Sequence, residues 1–214
     1  MTEDIVVIGA GGFGRETLDV IEAINAAAAE PRWRVLGVVD DRPAEVHLER
    51  LAARGYRHLG GVEGAQRTLV SASVVVAIGA PAVRARIAAR IESLGATPVS
   101  LVHPRAVLGS QVAVGAGSVV CAGVQVSTNV RLGHRVHLNP GAIIGHDTVL
   151  GDDVSINPGA VVSGEVQVAE RTLVGAGAVV LQGLRLGADA VIGAAACVTR
   201  DVLDGAVVKG VPAR

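Results

Sequence analysis

The second half of the chain carries an aliphatic residue at every sixth position, without exception, from Leu108 to Val198. A period of six fits neither an α-helix, whose faces recur every 3.6 residues, nor an isolated amphipathic strand, whose faces recur every two. It is typical of a β-solenoid in which three hexads make one triangular coil. The aliphatic residues are Leu108, Val114, Val120, Val126, Leu132, Leu138, Ile144, Leu150, Ile156, Val162, Val168, Val174, Val180, Leu186, Ile192 and Val198.

The residue two places before each of these is mostly small or β-branched, so each hexad supplies one bulky and one smaller inward side chain. The length of the repeat predicts about five coils. Glycine or asparagine follows many of the aliphatic residues, and we expect these residues to adopt the left-handed backbone that tight corners need. They are Gly109, Gly115, Gly133, Asn139, Gly145, Gly151, Asn157, Gly175, Gly187 and Gly193.

The overall composition predicts a globular protein of one or two domains. Half of the 214 residues are apolar, and the net charge of −1 argues against a nucleic-acid or anionic-membrane partner. Cys121 and Cys197 are too few for a disulfide framework or a metal cluster. The apolar run at residues 5–8 is too short for a signal or transmembrane helix, so we expect a cytoplasmic protein without membrane insertion.

The first hundred residues alternate strand and helix patterns, which predicts a small Rossmann-like α/β domain over residues 1–100, followed by the solenoid over residues 101–214. Gly9, Gly11 and Gly14 have the G-x-G-x-x-G spacing of a dinucleotide-binding turn between a strand and a helix. The predicted strands cover residues 5–8, 34–39 and 74–78, and the predicted helices cover residues 15–28 and 82–94.

This glycine turn would let backbone N–H groups approach a phosphate at the start of the helix. Asp40 and Asp41 end the second strand, where carboxylates can meet a ribose or a base. The domain is about half of a full dinucleotide fold, so a uridine or thymidine diphospho-sugar fits it better than NAD does. Glycines that only allow tight strand–helix packing give the same spacing, and this alternative stays open.

A histidine in the solenoid is the candidate general base. His146 is the second residue after Ile144, at a corner that projects outward, and Asp147 follows it directly. A neutral imidazole beside a carboxylate suits proton abstraction. Spacing alone does not separate His146 from His134, which holds the same place after Leu132. One coil beyond His146 lies Gly164, whose N–H is free to face a thioester carbonyl.

Several motifs together identify a family. They are residues 7–16, 39–41 and 77–79, Arg84, and residues 138–147 and 209–213. With them the chain resembles the hexapeptide-repeat sugar acetyltransferases, which include sialic-acid O-acetyltransferases and N-acetyltransferases of UDP- or dTDP-linked 4-amino sugars. The resemblance implies a left-handed parallel β-helix after the α/β domain, a homotrimer, and acetyl-CoA as cosubstrate in the groove between neighbouring solenoids. It also implies that no metal is needed.

The resemblance further implies a role for each site residue. The catalytic residues are His146 as general base, Asp147 as its orienting partner and Gly164 as oxyanion donor. The residues that bind the nucleotide sugar are Gly11, Gly12, Phe13, Asp40, Asp41, Arg84, Asn139 and Ser155. The residues that bind acetyl-CoA are Gly164, Ala176, Ala194, Gly210, Val211 and Pro212. Some family members carry histidine in place of Phe13, and some carry it in place of Ser155. These differences leave the identity of the acceptor sugar open and do not affect the expected chemistry.

Three functions are compatible with these observations. The first is N-acetylation of a nucleotide-linked 4-amino-4,6-dideoxy sugar by direct attack on the thioester. The second is O-acetylation of sialic acid or another surface-glycan sugar. The third is a non-catalytic solenoid, or a γ-carbonic-anhydrase-like metalloprotein, which would need three histidines that converge on one metal ion. The phosphate-binding type of glycine turn favours the first.

Overall fold

The computed structural model describes residues 2–214 and confirms an α/β domain followed by a β-solenoid. The elements of the first domain are β1 (Glu3–Ile8), α1 (Gly12–Ala27), β2 (Trp33–Val39), α2 (Glu45–Ala52), α3 (Gln66–Ser71), β3 (Ser73–Val76), α4 (Pro81–Ser93) and β4 (Thr97–Pro98). Its four strands pair in the order β2-β1-β3-β4, and all of the pairs are parallel. Among residues 2–214, no helix is long and apolar enough to cross a bilayer; the cytoplasmic location stays a prediction.

Two glycines of the fingerprint are required by close packing at the turn between β1 and α1. Gly9 has a φ of +115°, and a Cβ on it would lie 2.7 Å from the carbonyl oxygen of Ala77. A Cβ on Gly14 would lie 1.8 Å from the carbonyl oxygen of Gly9, so only glycine lets α1 start this close to the turn. Gly11 and Gly12 instead face open space.

The solenoid consists of two-residue strands that form three parallel sheets of five, seven and six strands. This gives about six turns, one more than the repeat predicts. The strands are β5 (Leu101–Val102), β6 (Val107–Leu108), β7 (Ala113–Val114), β8 (Val119–Val120), β9 (Gln125–Val126), β10 (Arg131–Leu132), β11 (His137–Leu138), β12 (Ile143–Ile144), β13 (Val149–Leu150), β14 (Ser155–Ile156), β15 (Val161–Val162), β16 (Gln167–Val168), β17 (Leu173–Val174), β18 (Val179–Val180), β19 (Arg185–Leu186), β20 (Val191–Ile192), β21 (Cys197–Val198) and β22 (Val207–Val208).

The register of these sheets stacks each aliphatic residue on its counterpart one coil later, as Leu138 pairs with Ile156. The final coil pairs Ile192 with Val208 and is therefore two residues shorter than the others. This shortening explains why the six-residue pattern stops at Val198. Every aliphatic residue of the repeat from Val120 to Val198 is buried, so the core is continuous over these coils, whereas Leu108 in the first coil is 36% exposed.

The prediction that the glycines after the aliphatic residues adopt the left-handed backbone is wrong. Left-handed residues occupy the third place after the aliphatic residue, and they include Asn129, Arg135, Asp147 and Glu165. The glycines directly after the aliphatic residues are needed because successive coils come very close. A Cβ on Gly145, for example, would lie 2.4 Å from the backbone nitrogen of Gly164.

The α/β domain packs on the outer face of the seven-stranded sheet. There Val119, His137 and Ser155 are buried. The His137 ring stacks on Phe13 with ring centroids 4.3 Å apart, and its Nε2 lies 3.1 Å from the carbonyl oxygen of Val76. The turn after β1 and the end of β3 therefore both rest on the solenoid.

Burial of His137 makes stability depend on pH. Burial, with a smaller contribution from the charge of Arg84, holds the pKa of His137 well below its usual value. In the unfolded chain the imidazole of His137 titrates at about pH 6.5. Below that pH the unfolded state binds a proton that the folded state does not, so stability falls as pH drops.

We therefore expect Tm to decrease between about pH 7.5 and about pH 5.5, and His137→Gln to flatten the decrease. Thermal unfolding of the wild type and of His137→Gln across this pH range measures the decrease in Tm. The pKa of His103 is also lowered by burial, so this residue makes Tm fall with decreasing pH in the wild type and in the variant alike. Identical slopes for the two proteins would contradict the prediction.

Candidate active site

The predicted His146–Asp147 pair lies in the turn that joins β12 to β13. The Nδ1 atom of His146 lies 2.7 Å from Oδ2 of Asp147, and the two side chains are 55% and 45% exposed. Asn129, one coil earlier, donates a hydrogen bond of 2.6 Å from its amide to Oδ1 of Asp147. The hydrogen bonds from Asn129 and then from His146 lower the pKa of Asp147. A carboxylate that accepts from Nδ1 leaves Nε2 of the neutral ring as the proton acceptor.

Gly164 lies directly beneath this imidazole. A Cβ on Gly164 would lie 2.5 Å from Nε2 of His146 and 2.6 Å from Cε1. Within residues 2–214, the N–H of Gly164 has no hydrogen-bond acceptor. The arrangement therefore places a proton acceptor beside a free backbone donor, which are the two groups that acyl transfer to a nucleophile requires.

The corner that carries His146 lies opposite the α/β domain. Strand β12 belongs to the six-stranded sheet and β13 to the five-stranded sheet, so His146 occupies the corner between these two sheets. The α/β domain covers the seven-stranded sheet, which is the third face of the triangular coil. In one chain, therefore, His146 and the α/β domain are on opposite sides of the solenoid.

The residues expected to bind acetyl-CoA divide between two corners. Ala176 and Ala194 follow β17 and β20 at the corner between the seven- and six-stranded sheets, one coil apart. The C-terminal turn continues this corner, because the N–H of Cys197 donates to the carbonyl of Gly210 at 2.9 Å. Gly164 lies on the other corner. Within one chain Gly164 is therefore apart from this set, because turns after different sheets form different corners. The expected groove between neighbouring solenoids, in which these residues would meet, stays a prediction.

The glycine turn of the α/β domain opens onto a cavity. Helix α1 begins there; no side chain among residues 2–214 caps it, and its first turn has no acidic residue. The cavity has a volume of about 450 Å³ and adjoins a second of about 560 Å³. The first is lined by Gly9, Gly11, Gly12, Phe13, Asp40, Ala77, Ile78, Gly79 and Val83, and the second adds Arg42, Arg86 and Arg90. Backbone donors and arginines together suit a nucleoside diphosphate.

The two aspartates after β2 are held by the protein itself. Asp40 accepts hydrogen bonds from the N–H groups of Ala10 (2.8 Å) and Arg42 (2.9 Å), so it fixes the glycine turn. Asp41 accepts from the N–H of Val62 (2.8 Å) and from Arg90 (2.7 Å), and these two bonds, the first above all, lower its pKa. Both residues line the second cavity, and their contact with a nucleotide stays a prediction.

Arg84 and Ser155 are not where a substrate contact would place them. Arg84 is 0% exposed and Ser155 is 1% exposed, because both are sealed between the α/β domain and the seven-stranded sheet. The prediction that they touch the nucleotide sugar is therefore wrong. Asn139 is also buried and donates from its amide to the carbonyl of Ile156 at 3.0 Å. Phe13 is partly buried against His137 and keeps one side toward the cavity.

Two residues near these sites carry no predicted role. Glu165 presents a carboxylate within 4.8 Å of the ligand atoms of His146 and Asp147.

Both ring nitrogens of His137 are hydrogen-bonded, one to Arg84 and the other to the carbonyl of Val76. This buried position does not support His137 as a metal ligand. Within residues 2–214, the one group of three residues spaced as metal ligands contains a single histidine, unlike the three-histidine site of the metalloprotein alternative.

Comparison with known protein families covers both halves of the chain. Residues 4–91 match the PglD N-terminal domain, and residues 129–164 match the bacterial transferase hexapeptide family of six repeats. A GDP-perosamine N-acetyltransferase of Escherichia coli is 30% identical over 141 residues. That match covers 66% of this chain and 61% of the relative, so it spans less than two thirds of the relative's length.

Solved structures resemble the chain over nearly its whole length. A mutant of perosamine N-acetyltransferase from Caulobacter crescentus, in complex with CoA and GDP-perosamine, has a TM-score of 0.84 at 30% identity and matches 99% of this chain and 95% of its own. The acetyltransferase domain of PglB from Neisseria gonorrhoeae, in complex with acetyl coenzyme A, has a TM-score of 0.83 at 28% identity. The match covers 100% of this chain and 99% of that domain. The chain therefore belongs to the hexapeptide-repeat family of sugar acetyltransferases.

Proposed function

We propose that this protein transfers the acetyl group of acetyl-CoA to the amine of a nucleotide-linked 4-amino-4,6-dideoxy sugar, with His146 as general base. The observation that carries the proposal is the His146–Asp147 pair seated over Gly164. The names of the relatives support N-transfer over O-transfer, since two of them act on perosamine. They also favour guanosine as the nucleoside, in place of the uridine or thymidine that the sequence suggests.

The chemistry needs no covalent enzyme intermediate. The amine attacks the thioester carbonyl while Nε2 of His146 accepts its proton, and Asp147 stabilises the imidazolium that forms. The N–H of Gly164 donates to the developing oxyanion. Collapse of the tetrahedral intermediate breaks the C–S bond, and the leaving thiolate of CoA takes up the proton. Alignment of the two bound substrates supplies the rest of the acceleration.

A complete site requires a second copy of the chain. His146 faces away from the nucleotide cavity of its own α/β domain, so we infer a homotrimer in which the His146 corner of one chain faces the α/β domain of the next. The same arrangement sets Gly164 across a groove from the corner of the neighbouring chain that carries Ala176 and Ala194. Acetyl-CoA occupies this groove, with its pantetheine along these residues and its adenine end near the turn of Gly210, Val211 and Pro212.

The proposed activity is tested by release of free CoA from acetyl-CoA against a panel of acceptors, with product mass as the second readout. The panel contains GDP-perosamine, UDP- and dTDP-linked 4-amino-4,6-dideoxy sugars, CMP-sialic acid and free sialic acid. We expect release with an amino-sugar nucleotide only, and a product that has gained one acetyl group. Release with sialic acid instead would assign the O-acetyltransferase function and contradict the proposal.

A further inference from the structure

The segment from Val76, the last residue of β3, to Ala80, just before α4, is held on its solenoid side by hydrogen bonds to its carbonyl groups. The carbonyl of Val76 faces Nε2 of His137 at 3.1 Å, and that of Ile78 accepts from Nη1 of Arg84 at 2.8 Å. The hydroxyl of Ser155 donates to the carbonyl of Gly79 at 3.3 Å. The same segment lines the cavity beside Gly11 and Gly12. Its position relative to the glycine turn is thus set by side chains packed on the opposite side.

Arg84 is the centre of this contact. Besides Ile78, its guanidinium donates to the carbonyl of Asp153, to the hydroxyl of Ser155 at 3.0 Å and to Nδ1 of His137 at 3.1 Å. Within residues 2–214, only its Nε lacks a hydrogen-bond acceptor. One side chain thus ties the cavity-lining segment to strands β11 and β14 of the solenoid.

The ion pair with Asp153 does not by itself explain a buried arginine. Burial is costly for a guanidinium and lowers the pKa of Arg84 to about 10, against the opposing effect of Asp153. Asp153 is already paired, because Arg135 donates to both of its carboxylate oxygens at 3.0 and 2.9 Å. Nε of Arg84 is farther away, at 3.6 Å. What only arginine offers here is a rigid fork of donors that satisfies several acceptors at once.

The orientation of the carbonyls fixes the orientation of the following amides. In a trans peptide the N–H points opposite to the preceding carbonyl. Since the carbonyls of Ile78 and Gly79 point to the solenoid side, the N–H groups of Gly79 and Ala80 point away from it. Neither N–H has an acceptor among the described residues. Two free backbone donors therefore point away from the solenoid, and the first of them, on Gly79, belongs to a residue that lines the cavity.

We propose that Arg84 is a positioning residue that holds the N–H groups of Gly79 and Ala80 ready for the diphosphate of the nucleotide sugar. The proposal rests on the proposed function. These two donors face the diphosphate from the side opposite the glycine turn, so the anion is bound between two backbone segments. Ser155 and His137 support the same orientation from the solenoid.

Calorimetric titration with GDP, and with UDP as a second probe, tests this without relying on turnover. We expect Arg84→Met to weaken nucleotide binding at least about tenfold, because backbone donors to a charged group lose their alignment. Binding of acetyl-CoA, whose groove lies elsewhere, should stay within about twofold. Arg84→Lys, which reaches fewer acceptors, should fall between the wild type and Arg84→Met.

The matched control is Arg135→Met. Arg135 bridges Asp153 and Glu92 across the same domain junction but contacts no carbonyl of the segment. It should lower Tm and leave GDP affinity within about twofold. Equal weakening by both variants, or unchanged GDP affinity in Arg84→Met, would overturn the positioning role.

If Arg84→Met does not fold, Ser155→Ala decides the question, since it removes one hydrogen bond to the carbonyl of Gly79. We expect it to weaken GDP binding about threefold, and unchanged affinity would overturn the proposal. A wild-type protein that binds acetyl-CoA but neither nucleotide would instead refute the proposed function itself.

Discussion

His146→Ala should lower kcat at least about 100-fold while Tm and the Michaelis constants change little. The side chain is 55% exposed at a solenoid corner, and its one side-chain hydrogen bond to residues 2–214 is to Asp147, so its loss removes almost no packing. The loss falls on proton abstraction, which a positioned base accelerates by about 10²- to 10⁴-fold. Steady-state kinetics with acetyl-CoA and the amino-sugar nucleotide measures the effect.

His134→Ala is the matched control for this prediction. His134 holds the same place in its own turn, at the neighbouring corner between the five- and seven-stranded sheets, and is exposed. Its ring has no hydrogen-bond partner within residues 2–214, so no carboxylate orients it. Its replacement should leave kcat unchanged. Near-wild-type turnover in His146→Ala, or an equal loss in both variants, would remove His146 from the mechanism.

Gly164→Ala should lower kcat by about 10- to 100-fold, although it keeps the backbone N–H. The added Cβ would lie 2.5 Å from Nε2 of His146, so the imidazole must swing away. That movement breaks the 2.7 Å contact with Asp147 and takes the base from the acceptor. The backbone of Gly164 is outside the left-handed region, so alanine brings no backbone strain and Tm should change little.

A double variant separates this steric effect from any independent role of Gly164. If alanine acts by displacing the imidazole, His146→Ala combined with Gly164→Ala should be no slower than His146→Ala alone. The kinetic measurement is the same for all three proteins. If the fold-decreases in kcat of the two single variants multiply in the double variant, Gly164→Ala acts on the oxyanion donor or on acetyl-CoA. Displacement of the imidazole would then not explain its effect.

The period of six predicts the fold because each hexad forms its strand with a segment one coil away, at a constant offset. The same constancy predicts that Gly164 lies beside His146, since both follow an aliphatic residue by two places. The pattern does not predict the last coil, which is two residues shorter and pairs Ile192 with Val208. In the α/β domain, α2 and α3 carry no pattern strong enough to predict them, and α3 has only 6 residues.

Contacts between the two domains cannot be predicted from the repeat or from local sequence patterns. Arg84 and Ser155 are 71 residues apart, and nothing local to either one indicates their hydrogen bond. A family motif at Arg84 marks the position without distinguishing a substrate contact from a buried connection. The glycines after the aliphatic residues are a similar case, since a left-handed backbone and a close approach of coils both favour glycine. Only the stacked coils show that the second reason applies.

In the proposed mechanism His146 of one chain acts on an acceptor held by the α/β domain of its neighbour, and mixed trimers distinguish this from a site within one chain. His146→Ala removes the proposed base, and Gly12→Asp places a carboxylate at the proposed diphosphate site, in space that is otherwise open. Each variant alone should be nearly inactive. Trimers assembled from equal amounts of both should regain activity at about a quarter of their sites. Activity no greater than the sum of the two separate variants would place the whole site in one chain and contradict the account.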